Sequence, residues 1–541
     1  MEKNFTLAIA LMVLIYIGWF KFIAEPKKEA LENQKAQVEE TLVKEQKATT
    51  QVTTVAQTKE VNLVEKVTGK IEEEALYELD TKTAKITFSS KGASIKTFEF
   101  KDILGSVNLT PNFTEGFFAS MPEINFKEID RDENSITFKG NITRNVDVLK
   151  IYKFNNNGNL NTLDVLIKNN LAEDISLKEW YIAFGPGLGT VASEQKENAK
   201  YQKAVYTVEI PGKKNPALKN LRKEKTDVFV ISSEKWLWAG MSNRYFLSAL
   251  IPQNWESDAL GYETVIAGQS KGFFGKKDIK APVMRIMIPK QIIKAGERKV
   301  FNSKFYFGPK DYDKLLALPY RLDKSVEFGF FGQFGKWAKA SLNWLYGITG
   351  NYGYSIIIIA FLLQLLMLPL TLKSIRSSEA MKKIQPELKE IQRRYKDEPQ
   401  RLNKEMFALY KKHGANPMGG CLPLLIQLPV FIALFNALRT SWELHGAPWA
   451  LWIHDLSAKD PYYVLPILMG AIMFFQMQLT MPQSAGNDPM QKSMKWMPII
   501  FTFLFLSFPA GLVLYWLTNS ALNFGLHLFL KRKKPAQVAA I

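Results

Sequence analysis

The chain has 541 residues and a formal charge of +18, from 70 Lys and Arg against 52 Asp and Glu, and 47% of it is hydrophobic. That length predicts several domains, and the apolar content excludes a disordered or fibrous chain. One cysteine, Cys421, excludes intrachain disulfides and thiolate metal clusters. The four histidines, His413, His445, His454 and His527, leave the first 412 residues without an imidazole base or a histidine metal ligand. The positive charge fits nucleic acid, acidic lipid or membrane topology, and its distribution decides between them.

Phe5–Ile23 is an apolar run long enough to span a bilayer if Lys21 snorkels to the surface. A cleaved signal peptide is the competing reading. No small-x-small site follows the run, which favours an uncleaved anchor over residues 1–24. Residues 25–60 are polar and rich in Lys, Glu, Gln and Thr, the composition of a linker. Short segments alternating apolar with polar residues then recur: Ala84–Ser89, Ile95–Phe100, Ser135–Lys139, Leu149–Phe154, Thr162–Lys168, Val205–Ile210, Asp227–Ser232, Val283–Ile288 and Val300–Phe307. Punctuated by Gly, Asn and Pro, they predict an all-β sandwich domain, placed at 61–325. Its lack of histidine excludes a His–carboxylate pair for sugar ring opening, and nothing singles out a glycosidase carboxylate pair. Trp236, Trp238, Tyr245 and Phe246 read as core rather than as a ligand platform.

Residues 332–347 predict a helix in the membrane interface, with Trp337, Ala340, Ser341, Trp344 and Leu345 on one face and Lys336 and Lys339 flanking it. Five further apolar runs follow, at Tyr354–Leu372, Leu422–Leu438, Tyr462–Leu479, Met494–Phe508 and Leu512–Leu530, the last two divided by Pro509-Ala510-Gly511. With the anchor this makes an α-helical polytopic membrane protein of six spans. Leu422–Leu438 and Met494–Phe508 are short, about 25 and 22 Å at ~1.5 Å per residue, against a core of ~30 Å. Residues 373–415 read as a helical hairpin broken at Glu398-Pro399, with Met381, Ile384, Leu388 and Ile391 facing Leu402, Met406, Leu409 and Tyr410.

Lys373–Lys412 carries 12 basic and 6 acidic residues, and the tail at 531–541 begins Lys531-Arg532-Lys533-Lys534. Thr440–Pro461 has one Lys and three acids. The positive-inside rule therefore puts both termini and the hairpin in the cytoplasm and the β domain outside. The tail serves either as an orientation signal or as a non-specific phosphate contact with ribosomal RNA. No specific nucleic-acid site is expected. The polar residues within the runs are Gln364, Gln427, Asn436, Gln476, Gln478, Asn519 and Asn523, and they are expected to face the bundle interior. Two readings stand: interhelical hydrogen bonding, or a wet groove with Asn519 and Asn523 on one helix face. No phosphate-binding loop points to a nucleotide-driven motor, and no cofactor, metal or catalytic residue is expected.

Asn416–Phe435 (NPMGGCLPLLIQLPVFIALF), Ala447–Gly470 (APWALWIHDLSAKDPYYVLPILMG), Phe508–Trp516 (FPAGLVLYW), Trp238–Leu250 (WAGMSNRYFLSAL) and Phe305–Tyr312 (FYFGPKDY) closely resemble the YidC/Oxa/Alb family in its long Gram-negative form. The resemblance covers essentially the whole chain. It implies an inner-membrane insertase and chaperone that acts on nascent membrane proteins, alone or with the Sec translocon and its accessory subunits, within the phospholipid bilayer and without hydrolysing nucleotide. It also implies a five-helix insertase core at 354–530, a periplasmic β-supersandwich, and a hydrophilic groove matching Gln364, Gln427, Asn519 and Asn523. A greasy slide for substrate matches Leu428, Pro429, Phe431, Met469, Leu504 and Trp516. The family commonly carries an Arg in the second span, where this chain has Gln364. Lys373 and Arg376 are expected to supply attraction at the groove mouth instead. A solute transporter, or an envelope scaffold with a sugar-binding-like domain, are the competing classes. A transporter would need coupling acids or an inverted repeat, and the sequence displays neither.

Overall fold

The computed structural model describes residues 59–61 and 73–532, apart from 111–115, 157–159, 196, 211, 213–214, 222–227, 231–235, 258, 273–274, 415–421 and 481–488. The expected N-terminal anchor, most of the linker, Cys421 and most of the basic tail lie outside these residues.

Alternation builds the β domain. In Ser135–Thr143 and Val146–Lys153 every second side chain is buried, so one face of each strand joins the core and the other meets solvent. These strands belong to a nine-stranded antiparallel sheet that runs from Ala217–Leu221 through Lys203–Val208, Trp236–Ser242, Phe246–Pro252, Arg298–Pro309, Asn161–Asn169, Val146–Lys153 and Ser135–Thr143 to Lys127–Arg131. A four-stranded sheet (Leu76–Asp80, Ala84–Ser89, Ser94–Asp102, Gly105–Asn108) and a five-stranded sheet containing Ala259–Gly272, Gly275–Ile288 and Trp180–Phe184 contribute to the same core. Aromatic rings from different sheets meet there, including Phe88 on Tyr152 at 5.0 Å and Phe98 stacked on Phe307 at 4.4 Å.

Trp236–Ser242 and Phe246–Pro252 were not expected as strands, because their apolar residues do not alternate. Both are buried on both faces. Ala239, Met241, Phe246 and Leu250 pack into the sandwich core. Trp238, Leu247, Ala249 and Ile251 pack against the segment that leaves the domain, through Leu315, Leu322 and Phe328. Of the expected aromatic core, Trp238, Tyr245 and Phe246 are fully buried and Trp236 partly so.

Nine helices follow among the described residues: α1 Tyr312–Ala317, α2 Gly332–Thr349, α3 Tyr352–Lys383, α4 Gln385–Arg394, α5 Pro399–Lys412, α6 Leu422–Thr440, α7 Val464–Thr480, α8 Pro489–Phe505 and α9 Ala510–Arg532. In α2, Trp337 and Trp344 are exposed as the expected membrane face requires. Two residues depart from that expectation. Leu345 turns inward, and Lys339 is buried in ion pairs with Glu443 and, at 3.5 Å, Asp313. The lysine thus sits among the carboxylates of Asp313, Glu443 and nearby Asp311, the one group of acids among the described residues close enough to hold a cation. Residues 380–416 belong to a compact unit of their own. There α4 and α5 pack as a hairpin on Ile384 and Leu409, joined by Met381, Leu388, Ile391 and Tyr410. The chain breaks twice, at Ile384 before Pro386 and again before Pro399, where one break was expected.

Among the described residues α3 alone is long and apolar enough to cross a bilayer. The apolar parts of α6, α7 and α8 are shorter: Pro429–Thr440, Val464–Leu479 and Trp496–Phe505.

Lys310, in the FYFGPKDY motif, is buried and donates to the Ser242 hydroxyl at 3.2 Å and the Asn243 carbonyl at 2.7 Å. Burial pushes its amine down to about 8, below its ordinary 10.5. Between those values the unfolded chain binds more protons than the folded one, so this residue makes stability rise with pH across that window. Replacing it, as Lys310→Met, removes that contribution. In denaturant unfolding of the full chain, the stability of the variant minus that of the parent is expected to fall by up to about 3 kcal/mol from pH 7 to pH 10.5.

Candidate functional site: a polar seam in an apolar helix bundle

The helices meet the β domain at one end of their bundle. α3 and α7 begin there, α6 and α8 end there, and α9 starts there. The loop 441–463 closes that end: the amides of Ala510 and Gly511 donate to the carbonyls of Ala458 (2.7 Å) and Leu456 (2.9 Å), and Asn351 donates to Trp449 O at 3.0 Å. From the β domain, Arg244 Nε donates to Arg439 O at 2.8 Å, one of the carbonyls that the last turn of α6 leaves unsatisfied. The Arg244 guanidinium also pairs with Glu194, and Arg439 donates to the Tyr201 hydroxyl. Asp102 Oδ2 lies within hydrogen-bond distance of His445 Nε2, at 2.9 Å, and the His445 ring stacks on Trp442 at 4.7 Å.

Away from that end, Gln364 of α3 is buried and pairs with Asn523 of α9. Gln364 Nε2 donates to Asn523 Oδ1 at 2.8 Å, and Asn523 Nδ2 donates back to Gln364 Oε1 at 3.4 Å. Asn523 Nδ2 also donates to Asn519 O at 3.1 Å. Asn519 and Asn523 are half-buried, one helical turn apart, so their remaining amide capacity opens toward the bundle surface. Gln427 of α6 is half-buried and donates to the Tyr515 hydroxyl at 2.7 Å. Gln364, Asn519 and Asn523 thus form one cluster, and Gln427 a separate pair with Tyr515, one turn before Asn519 along the same face of α9. Lys373 and Arg376 are exposed further along α3, about 14 and 18 Å beyond Gln364 at ~1.5 Å per residue.

Two participants escaped the sequence reading. Tyr515 anchors Gln427, and His527 Nδ1 contacts Asn523 O at 2.9 Å. Asn519, Asn523 and His527 recur every fourth residue, and that spacing was the available signal. Tyr515 continues that spacing one turn earlier, but a tyrosine within an apolar run reads as core.

The expected slide residues divide. Phe431 of α6 meets Trp516 of α9 edge-on at 4.6 Å, and Phe505 of α8 lies 5.3 Å from the same indole. Leu504 is half-exposed beside them, and Pro429 is half-buried within α6. The Leu428 side chain lies outside the described residues. Met469 is fully buried among α7, α8 and α9, and so has no surface to offer a substrate. Close helix contact explains its position: at the next residue, Gly470, an added Cβ would lie 1.9 Å from Thr502 Oγ1. The outer surface of the bundle is apolar and open, with Leu366 at 67% and Phe503 at 69% exposure, alongside Phe361, Ile467, Phe475 and Ile500. A patch of this kind requires an apolar environment.

The family model described as the 60Kd inner membrane protein matches residues 344–537, and the YidC periplasmic domain matches residues 115–339. The membrane protein insertase YidC of Endomicrobium trichonymphae is 35% identical over 100% of both chains. The chain belongs to the YidC family of membrane protein insertases. The Syntrophus aciditrophicus (strain SB) insertase YidC is 33% identical over 85% of this chain and 86% of its own. A crystal structure of an active YidC insertase with its first transmembrane domain resolved covers 84% of this chain and 93% of that one, at 19% identity and a TM-score of 0.38. That superposition is too loose to place individual residues. The family consists of inner-membrane proteins with a periplasmic domain; its members are insertases and not enzymes.

The Gln364–Asn523 pair is expected to behave as a modest interhelical tie. A double-mutant cycle with Gln364→Leu and Asn523→Leu, read by unfolding in detergent–lipid mixtures, should give a coupling of about 0.6 kcal/mol and no more than about 2. A coupling near zero would mean that water already satisfies both amides.

Proposed function

We propose that this YidC-family insertase moves a short polar segment of a nascent membrane protein partway across the inner membrane. In this reading the segment enters along the amide cluster of Gln364, Asn519 and Asn523, and the following apolar segment leaves into lipid past Phe431, Pro429, Leu428, Leu504 and Trp516. The carrying observation is the cluster itself: three amides on α3 and α9, partly open, inside a bundle whose outer surface is apolar. A polar residue entering hydrocarbon without partners costs several kcal/mol, and a site already lined by amides and water reduces that cost. Release is driven by burial of the apolar segment in lipid, at ~25 cal/mol per Å². Met469 is left out of the slide because it has no exposed surface.

The cluster carries an amide at the position where the family commonly has a fixed arginine. Hydration and local thinning of the bilayer around the short apolar helices therefore take over the work of attraction inside the groove. Lys373 and Arg376 draw acidic substrate residues at the cytoplasmic mouth. Six spans with both termini in the cytoplasm, and the β domain in the periplasm, follow from the charge distribution under the positive-inside rule. Family resemblance supports the Sec translocon and its accessory subunits as partners and a chaperone role. A ribosome contact through the basic tail rests on its run of Lys and Arg.

The test is insertion of a small substrate with a polar translocated tail by the purified full chain in liposomes. Gln364→Leu is expected to reduce insertion several-fold while unfolding changes by no more than about 2 kcal/mol. Photo-crosslinkers at Phe431 and Leu504 should capture the nascent apolar segment, and one at Met469 should not. Unchanged insertion by Gln364→Leu would remove the amide cluster from the mechanism.

A further inference from the structure

The β domain ends one of its hairpins on an unusual turn. Ser94–Asp102 pairs with Gly105–Asn108, and the pairing of Asp102 with Gly105 leaves Ile103 and Leu104 as a two-residue tip. Such tips favour Asn, Asp and Gly, which accept the required backbone angles and meet water. This one instead presents two large aliphatic side chains, Ile103 at 78% and Leu104 at 60% exposure. The permissive residue is displaced to Gly105, at φ +128°.

The position of the tip is fixed. Asp102, one residue before it, is held by His445. Gly446 lies against it, so close that a Cβ there would sit 2.9 Å from Ile103 Cδ1 and 3.0 Å from Leu104 Cγ. Gly446 and His445 belong to the loop 441–463, which closes the end of the apolar bundle where α3, α7 and α9 begin. The same loop exposes Leu451, at 79%, together with Tyr462 and Tyr463. Tyrosines beside exposed aliphatic residues, at the ends of apolar helices, are the composition of a membrane interface.

The geometry points to the Ile103–Leu104 tip as a membrane wedge: the β domain dips its own hairpin into the outer leaflet beside the bundle. The occupant of this surface is the acyl–headgroup boundary of the bilayer. Continuity with the loop that caps the helices argues for it, because the tip touches that loop rather than projecting away from the bundle. The inference rests on the reading that the apolar helices lie in the membrane. It gives the periplasmic domain a lipid contact of its own, separate from the exposed tryptophans of α2.

The full chain is prepared with Cys421→Ser and a single cysteine carrying an environment-sensitive fluorophore, at Leu104 or, in a second variant, at Ile103. It is reconstituted in phosphatidylethanolamine–phosphatidylglycerol vesicles containing nitroxide lipids. A blue-shifted emission is expected, quenched several-fold more by a nitroxide near the headgroup than by one near the bilayer centre. Labels at Phe503 and at Asp132 serve as references for the bundle belt and for water. If the tip labels match Asp132 while Phe503 is quenched by the deep nitroxide, the wedge is overturned and the membrane reading stands. If Phe503 also matches Asp132, the membrane reading itself fails. A tip label that shifts only when a soluble or membrane partner protein is added would likewise overturn the wedge in favour of a protein contact.

Discussion

The last turn of α6 leaves carbonyl groups without helical partners, and the protein answers that need from another domain. Arg244, on the turn between two doubly buried strands, donates to Arg439 O, while its charge is balanced by Glu194. Asn243 makes this possible by folding the turn: its Oδ1 accepts the amides of Tyr245 and Phe246 at 3.0 and 2.8 Å. A buried guanidinium whose partners were removed would cost several kcal/mol, so the contact fixes the end of the bundle against the β domain. Asp102 with His445, and the Trp442 ring wedged beside Phe246 at 5.1 Å, extend the same contact. The site depends on this arrangement, since it sets where α6 ends and α7 begins, and hence how α6 and α9 face each other.

Within the bundle, polarity is rationed. The described helices satisfy most polar side chains locally: Thr371, Thr440, Ser441, Thr502 and Thr518 each bond a carbonyl four residues back. That habit makes a hydroxyl tolerable inside an apolar helix. Gln364 and Asn523 instead reach across from one helix to another, which leaves acceptor capacity on Asn523 Oδ1 and amide capacity on the half-buried Asn519. The proposed groove is this residue of unspent hydrogen-bonding capacity. A neutral amide binds water and peptide alike without fixing the sign of the charge it accepts, which an arginine would do.

How much could be read beforehand follows from exposure. Ala84–Ser89 was predicted with the bounds it has, because only one face of that strand is covered and the sequence must alternate. Trp236–Ser242 and Phe246–Pro252 are covered on both faces, so nothing forces alternation and the strands looked like undirected apolar text. The same reasoning explains α2. Trp337 and Trp344 share an exposed face, as the helical period puts them, whereas Lys339 reads as a flanking charge because its partner Glu443 is 104 residues away. Gln364 was recognised as a site residue by its polarity in an apolar run; its partner Asn523, 159 residues distant, was recognised only as a second such residue.

Composition and order therefore determined the broad plan: one cysteine, no histidine before His413, alternation through the first half, apolar runs in the last third, and basic residues clustered between and after them. These are properties of single segments, imposed by water on one side and hydrocarbon on the other. Tertiary structure decided which amides share hydrogen bonds and that Met469 turns inward while Leu504 faces out. It also carried the Ile103–Leu104 tip to the loop that closes the bundle. Each of these joins residues far apart in the chain, and hydrogen bonds and close packing act over a few ångströms of space, whatever the distance along the sequence.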